Sequence, residues 1–374
     1  NSKHGKFRPY ILWGAIPFGI LSVLAFTTPD LSDQGKMIYA FVTYTLLMLV
    51  YTAVNIPYCA LGGVLTADPQ ERVSVQSYRF VCAFIGGLLV SALTLPLVDY
   101  FGAGDKAKGY QLTILLMSVA GVVMFLLCFA GTKERVQTVV ERKTNFRQDF
   151  KALWQNDQWR VLSVAALFLL TGNVLKNTMA IYYVKYYLGA PDDITLFITL
   201  GMLGSMAGCM FANPLAKKVE KVKAYIGLQL AAALFCALSY WVAADQLTMA
   251  FVVFIAWNFC FNAATPLLWA KMADTVDYGE WKTGIRTTGM VYSSIIFFIK
   301  LGLALGGAAA GWLLAGYGYQ ADTAQTDEAK NGILLSFTLF PAIGSVIVAI
   351  VMRRYLLDSA KMTEIQLQLK QSAS

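Results

Sequence analysis

Residues 266–300 read PLLWAKMADTVDYGEWKTGIRTTGMVYSSIIFFIK, an apolar helix end, a short charged turn and a second apolar helix with one lysine inside it. Lys300 stands about thirteen residues into its apolar run, roughly 20 Å along a helix and too far from either end to reach water easily. An ionisable side chain at that depth in an apolar helix marks a functional site by default. No soluble fold needs such a pattern.

The rest of the composition agrees. Of 374 residues, 57% are hydrophobic and 14% are charged, where soluble domains carry roughly a quarter, and the mean hydropathy is +0.56. The expectation is an integral membrane protein whose partners are the lipid bilayer and a small molecule. The net charge of +8 is spread over many short loops, not gathered on one aromatic-interleaved face, so nucleic acid is excluded as a partner. All six cysteines (Cys59, Cys82, Cys128, Cys209, Cys236, Cys260) fall in apolar runs, which leaves no disulfide framework and no CxxC site. His4 is the single histidine, so histidine-based catalysis or metal binding is set aside. With no nucleophile–base pair either, the chain does not read as an enzyme.

Ten runs are long enough to cross a bilayer at about 20 apolar residues each: 9–27, 37–64, 73–100, 110–131, 160–188, 194–216, 224–243, 247–272, 287–316 and 331–352. Residues 132–159 form the long polar connection, which divides the chain into an N-terminal bundle (1–131), a cytoplasmic central linker (132–159), a six-helix C-terminal bundle (160–352) and a cytoplasmic tail (353–374). Counting on alternate sides puts 22 of the 30 Lys and Arg on one side and Lys36, Lys106, Lys108 and Lys330 on the other. The basic side is the cytoplasmic one, and both visible ends lie there.

An internal echo explains why four helices precede the linker and six follow it. Pro57 is followed after eleven positions by Asp68 and three later by Glu71; Pro266, Asp277 and Glu280 repeat the spacing, and Lys6 with Tyr10 is matched by Lys221 with Tyr225. If the halves correspond, two further helices precede Asn1. Parallel six-helix repeats are the architecture of major-facilitator transporters. The fold expected is therefore an all-α polytopic membrane protein of that type, with ten visible transmembrane helices of twelve.

Several polar residues interrupt the apolar runs. Tyr51, Asn55 and Cys59 share one helix face, with Thr52 beside Tyr51; such groups need partners or a wet cavity in hydrocarbon, and interhelical hydrogen bonding is the alternative reading. Pro57 bends that helix. Arg79 lies two turns into the third helix, where it either snorkels to the headgroups or faces a cavity with Lys300. Lys176, between Asn173 and Asn177, either lines a cavity or snorkels, and Lys185 snorkels. Gly302, Gly306, Gly307 and Gly311 make two GxxxG patterns for close helix packing. Asp68, Glu71 and Arg72, with Asp277, Glu280, Lys282 and Arg286, form candidate gating ion pairs. Surface pairs contribute about 0–1 kcal/mol each, so only a concerted network would matter.

GKFRPY (5–10), YTAVNIPYCALGG (51–63), ADPQER (67–72), SYRF (77–80), MADTVDYGEWKTGIR (272–286) and IKLGLALGG (299–307) resemble the glycoside-pentoside-hexuronide:cation symporters, the melibiose permease-like group. The resemblance spans essentially the whole chain and lies nearest the xyloside-type branch. It implies sugar uptake coupled to Na⁺, Li⁺ or H⁺, with no other cofactor. It places Tyr51 and Arg79 on the sugar, Thr52 at the cation site and Lys300 close to it. Asn55 stands where melibiose permease has a sugar-binding aspartate, and Cys59 and Thr265 replace tryptophans, which points away from galactosides. The substrate set is thus Tyr51, Asn55, Arg79, Lys176, Thr265 and Lys300. A Na⁺ at Thr52 is the sole metal the reading admits. The expected molecule is a monomeric symporter in the cell inner membrane. The rival readings are a cation-dependent lysolipid carrier of the same fold and a non-transporting receptor or scaffold.

Overall fold

The computed structural model describes residues 5–136, 145–321 and 323–371. The described chain forms helices α1 (Arg8–Ala25), α2 (Asp33–Val64), α3 (Pro69–Gly102), α4 (Lys106–Gly131), α5 (Phe146–Gln155), α6 (Asp157–Tyr182), α7 (Ile194–Lys218), α8 (Lys221–Leu238), α9 (Leu247–Thr283), α10 (Thr288–Gly316), α11 (Asp327–Phe337), α12 (Leu339–Met352) and α13 (Ser359–Gln371). Among the described residues, ten stretches are long and apolar enough to cross a bilayer, α11 and α12 counting as one. This is the polytopic all-α fold expected, and helices are what hydrocarbon demands, since each satisfies its own backbone polar groups.

Local chemistry sets the helix starts. Side-chain oxygens of Ser32, Asp105, Asn156, Glu220 and Thr326 accept the first free backbone N–H groups of α2, α4, α6, α8 and α11. Asp68 does the same for α3, accepting from Gln70 N at 2.6 Å and Glu71 N at 3.1 Å. Gly284, at φ +69°, ends α9 in the left-handed conformation that only glycine adopts cheaply.

Two compact units result, residues 1–67 with 82–137 and residues 68–81 with 138–374. In the first, α1 packs on α2 and α4. A Cβ on Gly14 would lie 2.2 Å from Val54, and one on Gly109 only 2.3 Å from the Val98 carbonyl. In the second, α7 lies on α9, α10 on α6, and α12 on both α6 and α8. The α7–α9 seam is a glycine stripe: Cβ atoms at Gly204 and Gly208 would fall 2.9 Å from Ile255 O and 2.2 Å from Phe259 O. The α10–α6 seam uses Gly302 and Gly306, whose Cβ positions fall 2.6 and 2.7 Å from the Leu167 and Thr171 carbonyls. Gly307 and Gly311 face open space, so the expected overlapping patterns reduce to one packed edge. Helix α13 lies on α9 with Met362 and Ile365 buried.

Three expectations change. The charged turn after Pro266 is not a turn: α9 continues without a break to Thr283. The polar connection contains a helix, α5, whose Ala152 and Leu153 are buried. The last span is broken at Thr338 (φ −112°, ψ −77°). Pro341 explains the break, because it has no N–H to give the carbonyl four residues earlier, that of Phe337.

Gly208→Ala is expected to destabilise the protein by about 1–3 kcal/mol, since the new methyl must displace a backbone carbonyl. Gly311→Ala, into open space, should leave the Tm unchanged or slightly higher. Thermal unfolding of both variants in detergent checks the pair.

Candidate functional site

The strongest feature of the second unit is a buried charge network at the end of α9. Asp274 and Asp277 are three residues apart and so share one helix face. Both meet Arg72, in the first turn of α3, whose guanidinium donates to Asp274 Oδ1 at 2.7 Å and Asp277 Oδ2 at 2.8 Å. Arg72 is only 1% exposed, and its partners are nearly as enclosed. Arg286 closes the other side, 3.1 Å from Asp277 Oδ1 and bonded to Glu280. Burial disfavours the Arg286 cation, but Asp277 and Glu280 more than offset it and hold its pKa above the ordinary arginine value.

The neighbouring residues of the same stretch each hold a different piece of the unit. Tyr278 donates to Asp157 Oδ1 at 2.9 Å, and Lys282 pairs with the same carboxylate. Asn156 caps α6 at Trp159 N, 2.9 Å, and donates to Thr275 O at 2.8 Å. A Cβ on Gly279 would lie 2.7 Å from the Asn156 amide nitrogen, so the glycine leaves the space that this amide fills. Trp281 donates its indole N–H to Gln368 on α13. Residues 274–282 therefore act as one docking strip, which gives the DTVDYGEW motif a physical content.

Of the expected gate residues, Arg72, Asp277, Glu280 and Arg286 come together, while Asp68 caps α3 and Glu71 is exposed. The network is buried, not a set of surface pairs. Asp274 was missed because the stretch read as a turn; read as a helix, its spacing to Asp277 identifies it. Lys271 was missed as well. It is 1% exposed, its ammonium has no hydrogen-bond acceptor among the described residues, and it sits 4.7 Å from the Tyr355 ring. Tyr355 donates its hydroxyl to Lys271 O at 3.2 Å; burial, reinforced by Asp274, pushes that phenol well above its usual range and keeps it protonated.

Sequence and fold together settle the family. The sequence profile of the MFS/sugar transport proteins matches residues 1–359. The chain belongs to that family. Among relatives, the inner membrane symporter YicJ of Escherichia coli is 43% identical over 95% of this chain and 77% of its own length. The putative glycoside/cation symporter YagG of the same organism is 40% identical over 99% and 80%. A crystal structure of FucP, a major facilitator superfamily transporter in the outward conformation, gives a TM-score of 0.71 at 12% identity, covering 95% of this chain and 84% of that one. The fold is thus the major-facilitator fold.

Within this MFS/sugar transport protein, the expected binding residues divide between the units. On α2 of the first, Tyr51 is exposed beside Phe18, ring centroids 6.4 Å apart. Thr52 donates to Met48 O at 2.8 Å, and the half-buried Asn55 accepts from Cys59 Sγ at 3.7 Å. In the second unit, the half-buried Arg79 lies over the Trp269 ring at 4.5 Å and donates to Gln76 Oε1 at 3.1 Å. Thr265 stands one turn before Trp269 and donates to Phe261 O at 3.3 Å. Trp269 went unread in the sequence, where it looked like one more apolar residue of a membrane helix. Lys300 is half-buried on α10.

Lys176 departs from its expected place. It neither lines a cavity nor snorkels: it is fully buried, donates to Phe337 O at 3.0 Å, and lies 3.7 Å from the Phe337 ring and 5.0 Å from that of Trp257. The carbonyl it meets is the one that Pro341 leaves without a donor. Its geometry is that of a helix-break partner.

Arg72→Ala should cost about 3–5 kcal/mol of stability, because it strands two buried carboxylates. Lys271→Met removes an ammonium that donates no hydrogen bond and should raise the Tm. Thermal melts of the purified variants test both.

Proposed function

We propose that this transporter is a cation-coupled symporter that carries a glycoside or pentoside, such as a xyloside, across the cell inner membrane by alternating access. The observation that carries the reading is the Arg79 guanidinium held against the Trp269 indole in a chain of the sugar transport family. A planar donor array beside an aromatic face suits a ring bearing several hydroxyls. The similarity to YagG, a putative glycoside/cation symporter, supports the substrate class and the coupling.

In this reading Tyr51, Asn55 and Arg79 bond sugar hydroxyls, and Thr265 belongs to the same substrate set. Thr52 contributes to the cation site: its hydroxyl donates to Met48 O, and a hydroxyl oxygen is a ligand type that suits Na⁺ or Li⁺. Coupling to H⁺ would instead need a titrating group. Lys300 shapes the electrostatics of the site. The distribution of Lys and Arg supports both visible termini in the cytoplasm. The Arg72 network then acts as a cytoplasmic latch, and opening has to part the start of α3 from α9 with all its charges rehydrated at once. The carrier works as a monomer and performs no covalent chemistry.

Uptake of labelled glycosides by proteoliposomes of the complete transporter, under separate Na⁺ and H⁺ gradients, tests the reading. Arg79→Ala is expected to cut uptake at least about tenfold, and Arg79→Lys nearly as much, because an ammonium cannot reproduce a stacked planar fork. Unchanged uptake in both variants would remove Arg79 from the site. Lysolipid uptake without competition from any sugar would replace the substrate class.

A further inference from the structure

Between α6 and α12, on the surface of the second unit, runs a groove of about 470 Å³ that the transport reading does not use. Its walls are Val161 and Val164 of α6 with Ile350 and Val351 of α12, and its mouth carries Arg160 and Arg354. Val164 is 39% and Ile350 58% exposed, so on two membrane-spanning helices these side chains face hydrocarbon. Arg160 is the fourth residue of α6, and Arg354 lies two residues beyond the end of α12. Both guanidinium groups therefore stand at the same end of the bundle, at the depth where apolar surface gives way to headgroups.

Neither arginine has an ion-pair partner among the described residues. Asp157 also borders the groove, but it is engaged by Lys282, Tyr278 and Gln158. The adjoining helix α5 carries two exposed, stacked aromatic rings, Phe150 and Trp154, with centroids 6.5 Å apart, and Arg160 lies 5.9 Å from the Trp154 ring. Exposed aromatic side chains beside a span end belong at a membrane interface. Two uncompensated guanidinium groups above an apolar trough need a ligand that is anionic at one end and aliphatic along its length. A soluble anion has no use for the trough, and a neutral lipid has none for the arginines.

We propose that this groove is a binding site for one anionic phospholipid, its phosphate between Arg160 and Arg354 and an acyl chain along Val161, Val164, Ile350 and Val351. The proposal depends on α6 and α12 crossing the bilayer, and not on which sugar or cation is carried.

The test is native mass spectrometry of the complete transporter titrated with phosphatidylglycerol against phosphatidylcholine, with the Tm followed in parallel. Wild type should retain one phosphatidylglycerol in preference to phosphatidylcholine and gain thermal stability from it. Arg160→Gln with Arg354→Gln should weaken that retention at least about tenfold, and the double Arg→Lys variant should keep most of it. Val164→Trp, which fills the trough and spares both charges, should also lose it. Undiminished retention by the Gln pair overturns the proposal. So does displacement of the lipid by millimolar inorganic phosphate, which would mark a site for soluble anions. If the Gln pair fails to fold, Val164→Trp decides: full retention there overturns the acyl trough.

Discussion

A guanidinium buried between two carboxylates governs much of the second unit. Arg72 has almost no access to water, and removing such a charge from solvent is tolerable only where opposite charges meet it at short range. That requirement fixes how the start of α3 lies on α9. Arg72 meets Asp274 and Asp277, while seven residues onward Arg79 meets Trp269. Moving forward along α3 thus corresponds to moving back along α9, so the two segments run antiparallel. About 10 Å of rigid helix separates the two contacts. The ionic lock and the candidate sugar contact are therefore two points on one rod, and neither can shift along α9 without the other.

A second constraint is the broken last span. Pro341 withholds the donor that Phe337 O would have met, and an unsatisfied carbonyl in the apolar interior is expensive. Lys176 Nζ supplies it, with the Cys236 thiol 3.8 Å from the same oxygen and 3.1 Å from Thr338 O. The rings of Phe337 and Trp257 give the ammonium further stabilisation through their π faces. Lys176, which the sequence offers as a substrate ligand, here donates to the carbonyl four residues before Pro341.

How much of this was legible in the sequence follows from the type of signal. The ten spans and their order could be read because each apolar run is long and hydrocarbon tolerates few alternatives. Arg72, Asp277, Glu280 and Arg286 could be read as a set because charges near a membrane helix stand out. Asp274 could not, because the helix end was placed at residue 272, where polar residues become frequent, although the backbone continues to Thr283; Trp269 was hidden as one more apolar residue of the span, and Lys271 as one more basic residue near its cytoplasmic end. Polarity normally signals a loop, and here it signals a buried interface with α3, α6 and α13. The fate of Lys176 was hidden differently, since its partner is a backbone carbonyl freed by a proline 165 positions away. No local spacing carries that information. The α7–α9 glycine seam is legible at Gly201, Gly204 and Gly208, whose spacing puts small residues on one helix face.

The last helix adds a mechanical property to this arrangement. Helix α13 is anchored to the strip that carries the ionic lock, through Met362 and Ile365 and through Gln368 at Trp281. Tyr355, just ahead of it, is bonded to Lys271 O. A helix clamped in this way is tied to any movement of the end of α9. Its outer surface exposes Thr363, Glu364, Leu367 and Gln368, so a small rotation of the end of α9 would be translated into displacement of an accessible probe position. Helix α13 is thus a natural pointer on the state of the Arg72 network.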